Sequence, residues 1–366
     1  MNDHVERLVE LAIQIQQIPS PTFGERTRAE FVRGLMLNEG LKDVSLDDVS
    51  NVYGRFPGGG NAAPLIVSAH LDTVFPADTD LAISRKEDRL FGPGIGDNSL
   101  GVASLFGLLW KLHERKSQLA GDIWLVGNVG EEGLGNLLGM NRVADRFGKK
   151  VLAYLVIEGT ALAHVYHRAI AVERYRVRVR TAGGHSWSDY GQPSAIHELA
   201  RIVTQMTSLT LPASPRTSLN VGLISGGTGV NVLAPEARLE LDIRSENPEA
   251  LNGLKRRVEQ IVDTANREGV VSDMEMIGQR PAGEIPQSHP LLRLAEQCLA
   301  EAGLQATFTS GSTDANVPLS RGFPALVLGI TTGGSAHTVH EHIDVSPIEK
   351  GMDQLVKFTE RVFQLK

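Results

Sequence analysis

Short, almost wholly apolar runs recur along the chain between segments of helical spacing. Leu65–Ala69, Ile123–Val126, Val151–Ile157 and Ala325–Ile330 have the pattern of strands buried on both faces. Val5–Ile18 places Val5, Leu8, Val9, Ala12 and Ile15 at helical intervals. Glu25–Asn38 repeats that habit and is ended by Gly40, and Leu100–Arg115 reads as an apolar helix. Asn51–Phe56 reads as a further short strand. Strands alternating with helices predict an α/β fold with a mostly parallel sheet. In such a sheet the C-terminal strand ends share one edge, where ligands bind.

The middle of the chain has a different texture. Val172–Arg180 alternates strictly, with Tyr175, Val177 and Val179 set between Arg174, Arg176, Arg178 and Arg180. Leu239, Leu241 and Ile243 alternate likewise with Glu240, Asp242 and Arg244. This is the mark of strands with one wet face. Ser194–Ser208 and Pro248–Glu268 read as helices, and Ser218–Ile224 and Met274–Ile277 as strands. The order β-α-β-β-α-β is the split unit of ferredoxin-like domains. Residues 170–281 are therefore expected to form a domain inserted into an α/β domain made of 1–169 and 282–366.

Polar residues cluster where the apolar runs end. Leu65–Ala69 leads into His70-Leu71-Asp72, Phe91–Gly96 delivers Asp97, and Val151–Ile157 ends at Glu158. Ile123–Val126 exits into the adjacent Glu131 and Glu132, and the loop after Ala325–Ile330 carries His337. Adjacent carboxylates cost little on a solvated turn. At a metal site they divide the work, one ligating while the other takes a proton from water. Zinc accepts imidazole and carboxylate ligands, and a pair of ions needs a bridging carboxylate. Asp72, two residues beyond His70, is placed to accept the second imidazole N–H. Each feature alone is weak, since a lone Asp in a glycine-rich loop is commonly a turn or cap residue. Their joint placement at strand ends is what points to a metal centre.

Composition removes several alternatives. The 366 residues carry a formal net charge of −7 with no basic run, which argues against a nucleic-acid partner. Cys298 is the sole cysteine, so neither an intrachain disulfide nor a thiolate cluster is available, and its helical setting suits core packing. Glu6, Arg7 and Glu10 make the first helix amphipathic rather than a signal peptide, and no run has the length of a membrane span. A soluble, cytoplasmic protein is expected. No G-x-S-x-G elbow occurs, and Gly92-Pro93-Gly94-Ile95-Gly96 lacks dinucleotide-loop spacing. His164 and His167 are expected as surface or hinge residues at the entry to the inserted domain.

Taken together, these motifs resemble the M20 family of co-catalytic zinc peptidases and amidohydrolases. His70-Leu71-Asp72-Thr73-Val74 resembles its first motif, Gly96-Asp97-Asn98 its bridging aspartate, and Glu131-Glu132-Gly133 its catalytic and metal-binding glutamates. Glu158-Gly159 resembles the second-metal carboxylate. In His337-Thr338-Val339-His340-Glu341 the family ligand lies four residues before the glutamate, which selects His337. The resemblance implies two zinc ions per chain, with cobalt or manganese as substitutes. Asp97 would bridge them, Glu132 and His337 completing one site and His70 and Glu158 the other. The inserted unit resembles the family's dimerising lid, and Gly183-Gly184-His185-Ser186 the motif whose histidine reaches a partner subunit's active site. Arg280-Pro281-Ala282 is similar to a substrate-carboxylate site, and Asn231 and Arg244 also match family positions. Asn231 reads equally as a turn residue and Arg244 as a strand-face charge.

The chain departs from the pattern in places. Ser99 stands where many members have lysine. Glu158 leans toward carboxypeptidases and deacylases, whereas Ser186–Tyr190 and Gly311–Asn316 look more like tripeptidases. The expected function is a homodimeric dizinc exopeptidase acting on small peptides through a metal-bridging water, with Glu131 as general base, Asp72 in support and His185 at the oxyanion. The alternative is an N-acyl-amino-acid deacylase with the same chemistry. A non-catalytic relic is disfavoured, because binding alone has no need of Glu131.

Overall fold

The computed structural model describes residues 3–365. They divide into two compact units, Met1–Ala169 with Gly283–Lys366, and Ile170–Ala282.

The first unit opens with helices α1 (Asp3–Gln16) and α2 (Arg26–Asn38). Strands β1 (Lys42–Leu46), β2 (Val52–Phe56) and β3 (Ala62–His70) follow, then the hairpin of β4 (Ser84–Lys86) and β5 (Arg89–Phe91). Helix α3 (Leu100–Arg115), strand β6 (Gly121–Asn128), helix α4 (Leu138–Phe147), β7 (Ala153–Glu158) and β8 (His164–Ala169) complete its first part. With β15 (Gly283–Glu284), β16 (Thr307–Gly311) and β17 (Ala325–Gly329) from later in the chain, the large sheet runs β1-β2-β6-β3-β7-β17-β8-β15, and β16 also pairs with β8. Its centre, β6, β3, β7 and β17 (Ala325–Gly329), is parallel. Leu65, Ile66, Val67, Leu125, Leu155, Val156, Ile157 and Val327 are each fully buried there. That explains why these strands read as continuous apolar runs: both faces are covered.

His164 and His167 occupy β8, a strand of this sheet, and not a hinge. His167 is buried, with Nδ1 2.8 Å from the Ile285 carbonyl oxygen, whereas His164 is exposed. Cys298 is buried in the first unit's core.

The second unit contains β9 (Ala171–Thr181), the short β10 (Gly184–His185), α5 (Ala195–Thr207), β11 (Thr217–Gly226), the short β12 (Val232–Leu233), β13 (Glu236–Ser245), α6 (Pro248–Thr264) and β14 (Val270–Arg280). Its four long strands form an antiparallel sheet in the order β11-β13-β9-β14. Tyr175, Val177, Val179, Leu239, Leu241 and Ile243 join one buried cluster with Leu199, Ile202, Leu254 and Val258 of the helices. The opposite row is an ionic ladder. Arg174 pairs with Asp242 (3.0 Å), Arg176 with Glu240 (2.8 Å), and Arg178 and Arg180 with Asp273 (3.0 and 2.8 Å).

The chain then returns to the first unit through β15 (Gly283–Glu284), α7 (Pro290–Glu301), β16 (Thr307–Gly311), α8 (Asn316–Ser320) and β17. The two-residue β18 (Gly333–Gly334), β19 (His342–Asp344) and α9 (Ile348–Arg361) follow. β19 pairs with β5, which brings the last loop beside the turn bearing Asp97.

Leu155 tests this core. With Leu155 at the centre of a strand flanked on both sides, Leu155→Ala should cost about 2–5 kcal/mol in a urea titration of the metal-free protein. An unchanged midpoint would contradict the packing described.

Candidate metal centre

Four loops of the first unit converge on Asp97. His70, 1% exposed at the end of β3, sets Nε2 3.0 Å from Asp97 Oδ1 and 3.7 Å from Glu158 Oε2. His337 sets Nε2 3.0 Å from Asp97 Oδ2 and 3.3 Å from Glu132 Oε1. The two oxygens of one carboxylate therefore face two different imidazoles. Ligand-competent atoms fall into the groups His70–Asp97–Glu158 and Asp97–Glu132–His337, which share Asp97. His70, Glu131 and Glu132 form a third such group.

The backbone around Asp97 is held from several sides. The Asp97–Asn98 peptide is cis. Buried Asn98 donates Nδ2–H to the Ile157 carbonyl (2.8 Å) and accepts the Gly159 N–H at Oδ1 (3.0 Å), clipping the turn to the end of β7. Gly159 has to be glycine here, since a Cβ would lie 2.0 Å from the Gly96 carbonyl oxygen. Glu341 accepts N–H groups from Gly94, Gly96 and Asp97 on its two carboxylate oxygens.

Asp72 differs from the sequence expectation. His70 Nδ1 lies 3.0 Å from the Asp72 main-chain oxygen, while the carboxylate Oδ1 is 3.6 Å away. The carboxylate is occupied elsewhere. It accepts the N–H of Glu131 at Oδ1 (3.0 Å), the N–H of Glu132 at Oδ2 (2.9 Å) and the Thr22 hydroxyl (2.9 Å). Buried backbone donors demand acceptors, so the carboxylate aligns both glutamates and leaves the imidazole to its own carbonyl.

Three further side chains were assigned no role from the sequence, although Asp314 and Glu341 lie in quoted motifs. Arg28 of α2 is 2% exposed, and its guanidinium donates to the carbonyls of Gln16, Ile18 and Leu71. Burial lowers it to about 10, and the nearby Asp72 charge opposes that fall. Asp314 is fully buried, accepts Asn128 Nδ2–H at 2.6 Å, and is pushed by burial up to about 7. Glu341 is likewise pushed up to about 7 by burial, although its three N–H donors favour the charged form.

The electrostatics are one-sided. Burial opposes a charged His70, yet Asp72, Asp97 and Glu158 hold it well above its ordinary value. Asp97 and then Glu132 raise His337 to about 10. Burial also opposes a charged Asp97, but hydrogen bonds from His337 and His70 keep its carboxyl below the usual range. Glu158 is raised by burial. Among the described residues no lysine or arginine pairs with Asp97, Glu132 or Glu158. Carboxylates packed this densely need cations, and a nitrogen-and-oxygen donor set with no sulfur suits zinc and its neighbours.

The remaining predicted residues lie in the second unit. His185 is exposed, and its Nδ1 accepts N–H from Trp187 (3.2 Å) and Ser188 (3.4 Å). The neutral ring then carries its proton on Nε2. The Asn231 carbonyl accepts the Ser186 N–H (3.0 Å), and β10 pairs with β12, so His185 and Asn231 come together. Arg244 and Arg280 flank Val172 in register on the two neighbouring strands. Arg280 is 5% exposed, and Arg244 bonds Asp242 (2.6 Å), which also holds Arg174. Burial and then the Arg280 charge lower Arg174, so these arginines lie close enough to feel one another. Its position in the alternating arginine row had concealed Arg174.

Comparison with known proteins agrees with this geometry. The model of Peptidase family M20/M25/M40 matches residues 66–361. A peptidase M20 domain-containing protein of Schizosaccharomyces pombe is 26% identical over 363 residues, covering 95% of this chain and 83% of its own length. Succinyl-diaminopimelate desuccinylase of Corynebacterium glutamicum is 23% identical over 353 residues, covering 94% and 92%. The crystal structure of a tripeptidase from Staphylococcus aureus shares the fold, with a TM-score of 0.83 at 21% identity over 99% of both chains. With its family match running through the sheet, the inserted unit and the ligand-bearing loops, the chain belongs to peptidase family M20 and is a metal-dependent hydrolase.

Proposed function

We propose that this protein is a dizinc exopeptidase that cleaves small peptides with a free terminus. The observation that carries the reading is the sharing of Asp97 by two ligand groups, with Glu131 outside both of them. His70 and Glu158 would hold one ion, and Glu132 and His337 the other. Zinc, or cobalt or manganese in its place, would polarise the scissile carbonyl and acidify the attacking water.

Glu131 is 6% exposed, and the Asp72 carboxylate fixes its backbone. Lying outside the two Asp97 groups, it takes the proton of the attacking water and passes it to the leaving amine. His185, with its proton on Nε2, donates to the oxyanion. Arg280, supported by Arg174 and Arg244, binds the substrate carboxylate through its planar fork, and Asn231 orients the substrate beside His185. The second unit is the lid and the homodimer interface. Leu223 and Ile224 on its outer strand β11 are 64% and 62% exposed, which supports pairing with a second copy that receives His185. A lone buried cysteine fits a reducing cytosol.

The desuccinylase relative supports a second reading, hydrolysis of N-acyl amino acids by the same residues. A panel of dipeptides, tripeptides and N-acyl amino acids, assayed with zinc- and cobalt-loaded protein, separates the two.

Metal binding should expel protons. His337 keeps its proton up to about 10 without metal, and only a neutral imidazole ligates. Apparent zinc affinity should therefore rise between about pH 6 and pH 9, reaching two ions per chain. Calorimetry in buffers of different ionisation enthalpy reads the protons directly, and affinity falling with pH would contradict the assignment.

Glu131→Gln should keep both ions and lose roughly two to four orders of magnitude in kcat, whereas Glu132→Gln should also weaken metal binding. Equal metal loss in the two variants would overturn the division of labour. Arg280→Ala should raise KM for free-acid peptides and spare their C-terminal amides. Equal loss on both would make Arg280 structural.

A further inference from the structure

Glu341 stands four residues beyond His337 and is 1% exposed. Its side chain closes on the turn that carries Asp97. Oε1 accepts the N–H groups of Gly96 and Asp97, both at 2.8 Å, and Oε2 accepts that of Gly94 at 2.9 Å. Its main-chain oxygen accepts the Gly92 N–H at 2.9 Å, and its own N–H donates to Thr338 at 3.1 Å. The turn is shaped for this contact. Gly94 has φ +70°, and a Cβ on Gly96 would lie 2.5 Å from Thr160 Cγ2 and 3.3 Å from Glu341 Oε1.

A neutral side chain could accept such N–H bonds at lower cost. Among the described residues, Glu341 makes no ion pair with a lysine, arginine or histidine, so its charge has no direct partner. That charge lies against the backbone of the residue shared by both ligand groups. Cations held by the Asp97 carboxylate would compensate it across a single residue. The same short segment supplies His337, which ties one ligand mechanically to the turn that presents the bridge.

We propose that Glu341 is a positioning residue for the bridging carboxylate. By gripping three donors of the turn, the N–H groups of Gly94, Gly96 and Asp97, it sets the orientation in which each Asp97 oxygen serves a different ion. Its charge strengthens the hold on the pair. The inference rests on the two-metal reading.

Metal-free, full-length protein titrated with zinc alone and with cobalt alone tests it, using Glu341→Gln, Glu341→Asp and, as a control on the same loop, His340→Ala. Glu341→Gln keeps one acceptor oxygen but loses the charge and sets an amide N–H₂ against Gly94 or its neighbours. Affinity for the ion pair should fall roughly ten- to hundredfold, the usual cost of removing a residue that orients metal ligands. In the dicobalt form, magnetic coupling between the ions should weaken. Glu341→Asp, charged but shorter, should lose less, and His340→Ala should match wild type. A folded Glu341→Gln that melts earlier without metal yet binds two ions with wild-type affinity and coupling would show a merely structural role and overturn the proposal. If Glu341→Gln does not fold, Glu341→Asp decides, with wild-type affinity against the proposal and reduced affinity for it. A wild-type protein that saturates at one ion would overturn the two-metal reading, and this inference with it.

Discussion

Mutual repulsion among buried carboxylates is the constraint on which the rest of the first unit depends. Asp72, Asp97, Glu131, Glu132, Glu158, Asp314 and Glu341 crowd the C-terminal edge of the parallel centre of the large sheet. Arg28 is the buried guanidinium beside them, and it spends its hydrogen bonds on carbonyl groups. In water such a cluster would spread apart. Inside a protein it persists only where histidines take up protons, carboxyl groups retain them, or cations enter. Neighbouring carboxylates raise His70 and His337, and burial raises Glu158, Asp314 and Glu341, which favours the first two responses in the metal-free chain. Membership of a family of metal-dependent hydrolases accounts for the third.

The scaffold confines that repulsion. β3, β6 and β7 end side by side, so His70, the Glu131–Glu132 pair and Glu158 leave parallel strands at one level. Their immobility comes from a surrounding layer of neutral and charged anchors. Asn98 ties the Asp97 turn to β7, Asp72 ties the two glutamates to the His70 loop, and Arg28 ties that loop to the end of α1. The Asp97 turn, the glutamate pair and the His70 loop are thus each tied to a segment distant in the chain. Such a layer is what lets a site hold its geometry before any ion arrives.

How much of this was legible in the sequence follows from the range of each interaction. The central strands were readable because burial on both faces leaves an unbroken apolar run, and the ligand-bearing residues directly follow those runs. The inserted unit was readable because alternation on β9 and β13 reports one wet face. By contrast, β1, β4 and β5 are exposed or short, and carry no periodic signal. β8 passed for a hinge because its polar residues break the apolar pattern, though it pairs with β17 in the main sheet. Arg28, Asn98, Asp314 and Glu341 act through contacts with residues far away in the chain. Nothing local distinguishes a buried Arg28 from a helix-surface arginine. Asp72 shows the limit of spacing arguments, since its position beside His70 was evident but the partner of its carboxylate was not.

The central claim is that one carboxylate, Asp97, joins two metal sites. Anomalous diffraction from crystals of the zinc-loaded protein, collected on either side of the zinc absorption edge, tests it most directly. The account predicts two anomalous peaks per chain, about 3.5–4 Å apart, with an Asp97 oxygen on each. His70 and Glu158 should lie beside one peak, and Glu132 and His337 beside the other. A single peak, or two peaks with Asp97 bound to only one of them, would contradict it.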